Sequence, residues 1–172
     1  MSEVTRGYWA AVLCNKDFIC VDTYSGYRGG TDRDPKGKQN LLPADASDIT
    51  LGEAVLDALA HSRWVLPARR EGSSYPEGVE FDMAICDFKV NYPAWVNSLM
   101  ERYGYKTKQA LFKGARHVSI ERKNDALTFY PSHHAKLEMW EGISEEARVI
   151  IPAVSAPEEI GRALRLALSR CT

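Results

Sequence analysis

Along residues 151–172, IPAVSAPEEIGRALRLALSRCT, apolar side chains recur at Ile160, Ala163, Leu164, Ala167, Leu168 and Cys171. That spacing puts them on one face of a helix. Residues 42–63, LPADASDITLGEAVLDALAHSR, carry the same pattern through Leu51, Ala54, Val55, Ala58 and Leu59. Laid on one another, the segments match Pro43 with Pro152, Ala44 with Ala153, Gly52 with Gly161, Ala54 with Ala163, Ala58 with Ala167 and Leu59 with Leu168. Each runs from a strand end through Pro-Ala and a short polar stretch into an amphipathic helix. In the second, Ser155 is the expected N-cap, Glu158 the partner in a capping box, and Pro157 a first-turn residue. An interior glycine costs a helix about 1 kcal/mol relative to alanine. Its matched position therefore points to close packing of each helix backbone, on a sheet. We read a duplicated strand–helix unit, with too few copies for a solenoid.

Elsewhere the period shortens. YWAAVLC (8–14) and FICVDTY (18–24), separated by Asn15-Lys16-Asp17, predict a β-hairpin. In the second run Ile19, Val21 and Thr23 alternate with Cys20, Asp22 and Tyr24, which predicts one wet face. Residues 25–40 hold five Gly or Pro in sixteen and predict a long irregular loop. Leu41-Leu42 is expected to pair with the sheet before a helix over 48–63. Trp64-Val65-Leu66 returns to the core, and 68–78 form a second loop. Phe81, Met83 and Ile85 alternate with Glu80, Asp82 and Ala84, which predicts a strand over 79–90. Asn91 is the expected cap of a helix over 92–103, with Trp95, Leu99 and Tyr103 on one face and Gly104 at its C-terminus. Residues 109–113, 116–121 and 126–130 read as short strands, 131–142 have no clear pattern, and 148–152 form the strand that feeds a helix over 157–170. The fold class is α+β: one domain over 1–172, with a mainly antiparallel sheet and about three helices.

Composition adds exclusions. At 172 residues the chain is long enough for one well-filled core. The N-terminus MSEVTRGYW has no apolar leader region, and no window approaches a membrane span. Cys14, Cys20, Cys86 and Cys171 lack Cys-x-x-Cys spacing and read as free thiols of a cytoplasmic protein. No glycine-rich phosphate loop, nucleophile elbow or metal-binding helix motif is present, so neither a cofactor nor a metal is expected. His133 and His134 are adjacent and would point to opposite faces of a strand, which leaves one to pack under Trp140.

Net charge is −1, but its distribution is uneven. Residues 71–87 hold five acids (Glu71, Glu77, Glu80, Asp82, Asp87) and no base. Residues 102–123 hold seven bases against Glu121 alone. The acidic stretch suits a basic protein partner. The basic one suits RNA, with His117 and His133 as candidate acid–base residues of a small RNA-binding or RNA-processing protein.

Several segments carry a family resemblance. They are Thr23-Tyr24-Ser25, Lys36-Gly37, Leu42-Pro43 with LGEAVLDALAHSR, YGYKTKQALFK (103–113), the run from Pro131 through His134, Lys136 and Trp140 to Gly142, and PEEIGRALRLALSRC (157–171). In these the chain resembles the CdiI-type immunity proteins of bacterial contact-dependent growth inhibition. The resemblance implies a cytoplasmic antidote without catalytic activity or cofactor, binding neither nucleic acid nor membrane. Its partner would be the C-terminal toxin domain of a cognate CdiA effector, commonly a nuclease, held one-to-one. No binding residue carries over by motif. The charge reading nominates Tyr24, Tyr27, Arg28, Asp32 and Asp34, with Glu71, Tyr75, Glu77, Glu80 and Asp82, as the toxin-binding surface, because tyrosine and arginine anchor interfaces.

Overall fold

The computed structural model describes residues 3–172. The hairpin forms where the alternation places it: β1 (Tyr8–Cys14) and β2 (Phe18–Gly26) pair antiparallel, with Trp9 opposite Tyr24. They sit at the centre of an eight-stranded sheet. On one side of β1 lie β7 (Arg116–Lys123), β8 (Ala126–Lys136) and the edge strand β10 (Val149–Pro152), with β9 (Met139–Gly142) on the far end of β8. On the other side, β2 pairs with β4 (Gln39–Pro43) along its first half and with β3 (Thr31–Arg33) along its second. All pairs within this sheet are antiparallel. A separate parallel pair joins β5 (Val65–Leu66) to β6 (Glu80–Phe81).

The duplicated unit is present as β4 followed by α1 (Asp48–Ala60) and β10 followed by α4 (Pro157–Ser169). Ser47 caps α1, its hydroxyl accepting from the Thr50 N–H at 3.2 Å. The second cap differs from expectation. Ala156 is the N-cap of α4, without a side-chain bond, and the Ser155 hydroxyl donates instead to the Pro152 carbonyl. α1 also ends at Ala60 rather than Arg63, closed by His61. The apolar faces of both helices meet Val12, Ile19, Val21, Val118, Ile120, Leu127 and Phe129 in one core. The glycines do lie at close approaches, but to the partner helix rather than the sheet. A Cβ on Gly52 would stand 1.8 Å from the Pro157 carbonyl oxygen, and one on Gly161 would stand 1.9 Å from that of Asp48. Each helix thus rests the first residue of its partner on its own glycine.

The opposite face of the sheet carries α2 (Phe88–Tyr103) and α3 (Lys108–Phe112). Leu13, Phe18 and Cys20 pack there on Trp95, Val96, Leu99, Leu111 and Phe112. Consequently neither face of β2 is wet: residues Phe18 to Thr23 are all buried. Three further expectations are corrected. Residues 109–113 do not form a strand, because the Thr107 hydroxyl accepts from Ala110 N–H at 3.1 Å and starts α3. The strand expected over 79–90 stops at Phe81, where the Asp82 carboxylate accepts from Ala84 N–H at 3.0 Å and starts a 3-10 turn over Met83–Cys86. α2 then begins at Phe88, four residues early, with the Asn91 side chain bonded to Ala84 O at 2.6 Å rather than capping. Gly104 does close α2 in the left-handed conformation, at φ 72°. The glycine-rich stretch 25–40 is ordered by β3 and by backbone bonds from Asp34 N–H to Thr23 O and from Thr23 N–H to Lys38 O.

The reciprocal crossing gives a stability prediction. Gly52→Ala and Gly161→Ala are each expected to lower the unfolding free energy by on the order of 2–4 kcal/mol, because backbone rather than a side-chain tip must move. The double variant is expected to lose less than the sum, since both changes part the same crossing. Urea unfolding reads both; single losses under about 1 kcal/mol would mean that the helices separate without penalty.

Candidate functional site

α2 and α3 cover only part of the second sheet face. Beyond Trp95 the face curves into a cleft of about 260 Å³. Its walls include Tyr24 and Arg33 from the sheet, Phe88, Tyr92 and Trp95 from α2, His117 from β7, and Glu138 and Trp140 from the turn and strand that follow β8. The floor is polar and paired. The Arg33 guanidinium lies 3.6 Å over the Trp95 ring and donates to Asp22 at 3.2 Å and to the Tyr24 hydroxyl at 3.1 Å. Trp95 Nε1 donates to the same Asp22 oxygen at 3.0 Å, so this buried carboxylate is compensated. Burial, then the charge of Arg33, lowers the His117 pKa to about 4, which leaves a neutral imidazole at neutral pH.

The outer wall is a second set of bonded side chains. Tyr92 donates to Glu138 at 2.7 Å, and Lys108 pairs with the same carboxylate at 3.1 Å. These two partners hold Glu138 below its usual range. Trp140 stacks on His134 at 4.5 Å and donates to Ala115 O at 3.2 Å. The expected packing of a histidine under Trp140 is therefore met by His134. His133 points away to Thr172 Oγ1 at 2.8 Å. Phe88 lines the cleft and is 56% exposed; Met83 and Val90, near it in sequence, and Leu137 and Met139, on either side of Glu138, are exposed as well. Exposed apolar side chains beside a concavity suit an interaction surface.

A second concavity, of about 550 Å³, opens where the 26–31 bend meets the 67–79 loop. Tyr27, Arg28, Arg69, Arg70, Ser73, Ser74 and Tyr75 line it. Arg63, next to the Trp64 on which Tyr27 stacks, forms a charged clasp. Arg63 binds Asp34 through two nitrogens at 2.6 and 2.9 Å and reaches Asp82 at 3.0 Å, while Lys36 holds Asp82 from outside at 2.6 Å. Burial works to raise the Asp34 carboxyl, but bonds from Arg63, Ser25 and Lys36 N–H hold it below its ordinary value. Lys36 first, then Ala84 N–H, bring Asp82 down to about 2.

The nominated residues thus separate into groups. Tyr24 and Asp32 line the aromatic cleft. Tyr27, Arg28 and Tyr75 line the second concavity, with Tyr27 and Tyr75 at 6.3 Å, so two stretches distant in sequence do meet. Glu71, Glu77 and Glu80 are exposed. Asp34 is buried, only 5% exposed, and supports the surface rather than presenting one. Asp82 is neutralised by its two cations, so the run of acids in sequence is not a uniform acidic face in space. His117 and His133 lie on opposite faces of the sheet and form no acid–base pair. Within the basic stretch, Lys108 is tied to Glu138 and Arg122 lies over Tyr8 at 4.5 Å. Among the described residues no group of acidic, histidine or cysteine side chains is placed to hold a metal. No helix there is long and apolar enough to cross a membrane. Sequence reasoning missed Arg33, Phe88, Tyr92 and Arg63. Phe88 and Tyr92 carried a signal, since each stands seven residues before a member of the face defined by Trp95 and Leu99.

Comparison with known proteins gives consistent matches. The family model described as "CdiI: CDI immunity protein" matches residues 8–171. Immunity protein CdiI-YPIII of Yersinia pseudotuberculosis serotype O:3 (strain YPIII) is 48% identical, over 99% of both chains. A chain of the CdiA-CT/CdiI toxin and immunity complex from Yersinia pseudotuberculosis superposes with a TM-score of 0.93 at 48% identity, covering 99% of this chain and 100% of the other. The protein of unknown function NMB0488 from Neisseria meningitidis superposes with a TM-score of 0.83 at 37% identity, covering 100% and 99%.

The clasp predicts a pH dependence. Both carboxylates release their protons more readily folded than unfolded. Their stabilisation is therefore complete above the ordinary carboxylate pKa of about 4 and is lost as pH falls toward about 2. Arg63→Met, which leaves Asp34 buried without its cation, is expected to cost on the order of 3 kcal/mol at neutral pH. It should also lose less further stability than wild type between about pH 4 and 2. Parallel losses in the two proteins over that range would show that the clasp does not carry the pH dependence.

Proposed function

Because the chain belongs to the CdiI family of CDI immunity proteins, we propose that it binds the C-terminal toxin domain of its cognate CdiA effector one-to-one and so protects the producing cell. The observation that carries this reading is the whole-length likeness to an immunity chain solved in complex with its toxin. The chain acts by occupying the toxin's surface in the cytoplasm rather than by chemistry of its own. The opposite facing of His117 and His133 supports this. The toxin is a nuclease in this reading, a class whose basic substrate-binding surface suits the exposed Glu71, Glu77 and Glu80.

The aromatic cleft is the principal docking surface. Its rings and neutral His117 offer large, preformed contact area, and Arg33 is already held by Asp22 and Trp95. Phe88 in the cleft, with the exposed apolar side chains of Met83, Val90, Leu137 and Met139, would lose exposure on binding. Tyr24 and Asp32 contribute from the cleft, and Tyr27, Arg28 and Tyr75 from the neighbouring concavity.

Co-expression with the cognate CdiA C-terminal domain is expected to yield a stable one-to-one complex and to rescue growth. Phe88→Asp and Met83→Asp, both exposed, should leave folding intact and weaken the complex by about tenfold or more each. Rescue by these variants at wild-type affinity would move the docking surface away from the cleft. No complex at all, with the toxin still active, would overturn the reading itself.

A further inference from the structure

The second concavity is chemically unlike the aromatic cleft. Arg28, Arg69, Arg70, Ser73, Ser74 and Tyr75 supply its polar wall, and no carboxylate lines it. None of its three guanidinium groups joins an ion pair among the described residues, whereas Arg33 and Arg63, a short distance away, are both fully engaged. Three guanidinium groups around one hollow, none of them in an ion pair, favour an anionic partner.

The ring faces decide which anion. Tyr27 stacks on Trp64 at 5.8 Å, and Tyr75 meets Tyr27 and Phe81 edge-on at 6.3 and 5.1 Å. The Arg69 guanidinium covers Tyr75 at 5.4 Å and Phe81 at 4.6 Å. These rings are committed to one another and to Arg69, so they are not free platforms for stacking nucleic-acid bases. What remains open is donors: the N–H groups of Arg28 and Arg70 and the hydroxyls of Ser73 and Ser74. A guanidinium fork matches a carboxylate through paired hydrogen bonds. The bend over 26–31 forms a shared wall, with Arg28 on the arginine side and Tyr24, Gly29 and Thr31 on the side of the sheet face that adjoins the cleft. A protein seated in the cleft reaches the arginines by extending along the sheet face past Tyr24 to the bend at Arg28 and Gly29.

We propose that this pocket receives an acidic segment of the toxin domain, as a second contact outside the aromatic cleft. The proposal rests on the toxin-binding reading above and reverses, at this spot, the charge sign that the acidic run in the sequence suggested. Arg28 and Arg70 supply the pairing groups, and Arg69 holds the aromatic base of the pocket in place.

The test is calorimetric titration of the purified cognate CdiA C-terminal domain into wild type and into Arg28→Glu/Arg70→Glu, at low and at moderate salt. Thermal melting verifies the fold, and Arg70→Ala serves as the milder second variant. Wild type is expected to bind with an affinity that falls as salt rises. The charge-reversed variant is expected to bind about tenfold or more weakly and with a flatter salt dependence. Equal binding by variant and wild type would overturn this proposal and leave the toxin-binding reading standing. Absence of wild-type binding would remove both. A parallel titration uses a single-stranded RNA oligonucleotide: binding by wild type that disappears in the variant would assign the pocket to phosphates and overturn the acidic protein partner.

Discussion

The contact on which the structure depends is the backbone crossing of α1 and α4. The two strand–helix units attach at opposite sides of the sheet, β4 beside β2 and β10 beside β8. Their helices can meet over the middle of the sheet only because Gly52 and Gly161 have no side chains there. The crossing also brings two helix N-termini together, where their partial positive charges oppose one another. Asp48 in one first turn, and Glu158 and Glu159 in the other, offset that charge, and Arg165 reaches across to Asp48 at 2.9 Å. One face of the sheet is thereby sealed by residues from both ends of the chain.

With one face sealed, the aromatic cleft lies on the other. There, α2 and α3 complete a second core around Phe18, with Trp95 at its edge. Asp22, Arg33 and Trp95 form the boundary between packed interior and open cleft. Because Asp22 accepts from both Arg33 and Trp95, a charged residue lies beneath an aromatic floor without an unmet hydrogen bond. The 83–90 segment and the 137–139 turn each contribute a side chain to the cleft, Phe88 and Glu138, and carry partly exposed apolar side chains beside them.

The duplicated unit, the first hairpin and the antiparallel pair of β7 and β8 were legible because their apolar periodicity agrees with their hydrogen bonding. Where sequence reading failed, a single polar side chain had redirected the backbone. The Asp82 carboxylate turned an alternating strand pattern into a 3-10 turn, and the Thr107 hydroxyl turned a short apolar run into a helix. The wet face assigned to β2 failed for another reason: Cys20 and Asp22 meet α2, and strand alternation cannot announce a helix on the second face. The candidate site was half legible. Tyr27 and Tyr75 were named from separate loops and do meet, but the long-range pairing of Arg63 with Asp34 and Asp82 leaves no periodic trace. Without it, the charge of the 71–87 stretch could not be read from its composition.

The Arg63 clasp bears on how this surface meets a partner. Arg63 follows α1 closely, and its side chain fastens the β3–β4 connection to the start of the 3-10 turn. Two stretches that border the aromatic cleft, at Asp32-Arg33 and at Ile85, are therefore fastened to the end of α1 before any partner arrives. Association then need not immobilise slack chain, so less conformational entropy is surrendered at the moment of contact. An immunity protein organised in this way would meet a partner as a nearly rigid body, with the shape of its cleft already set during folding.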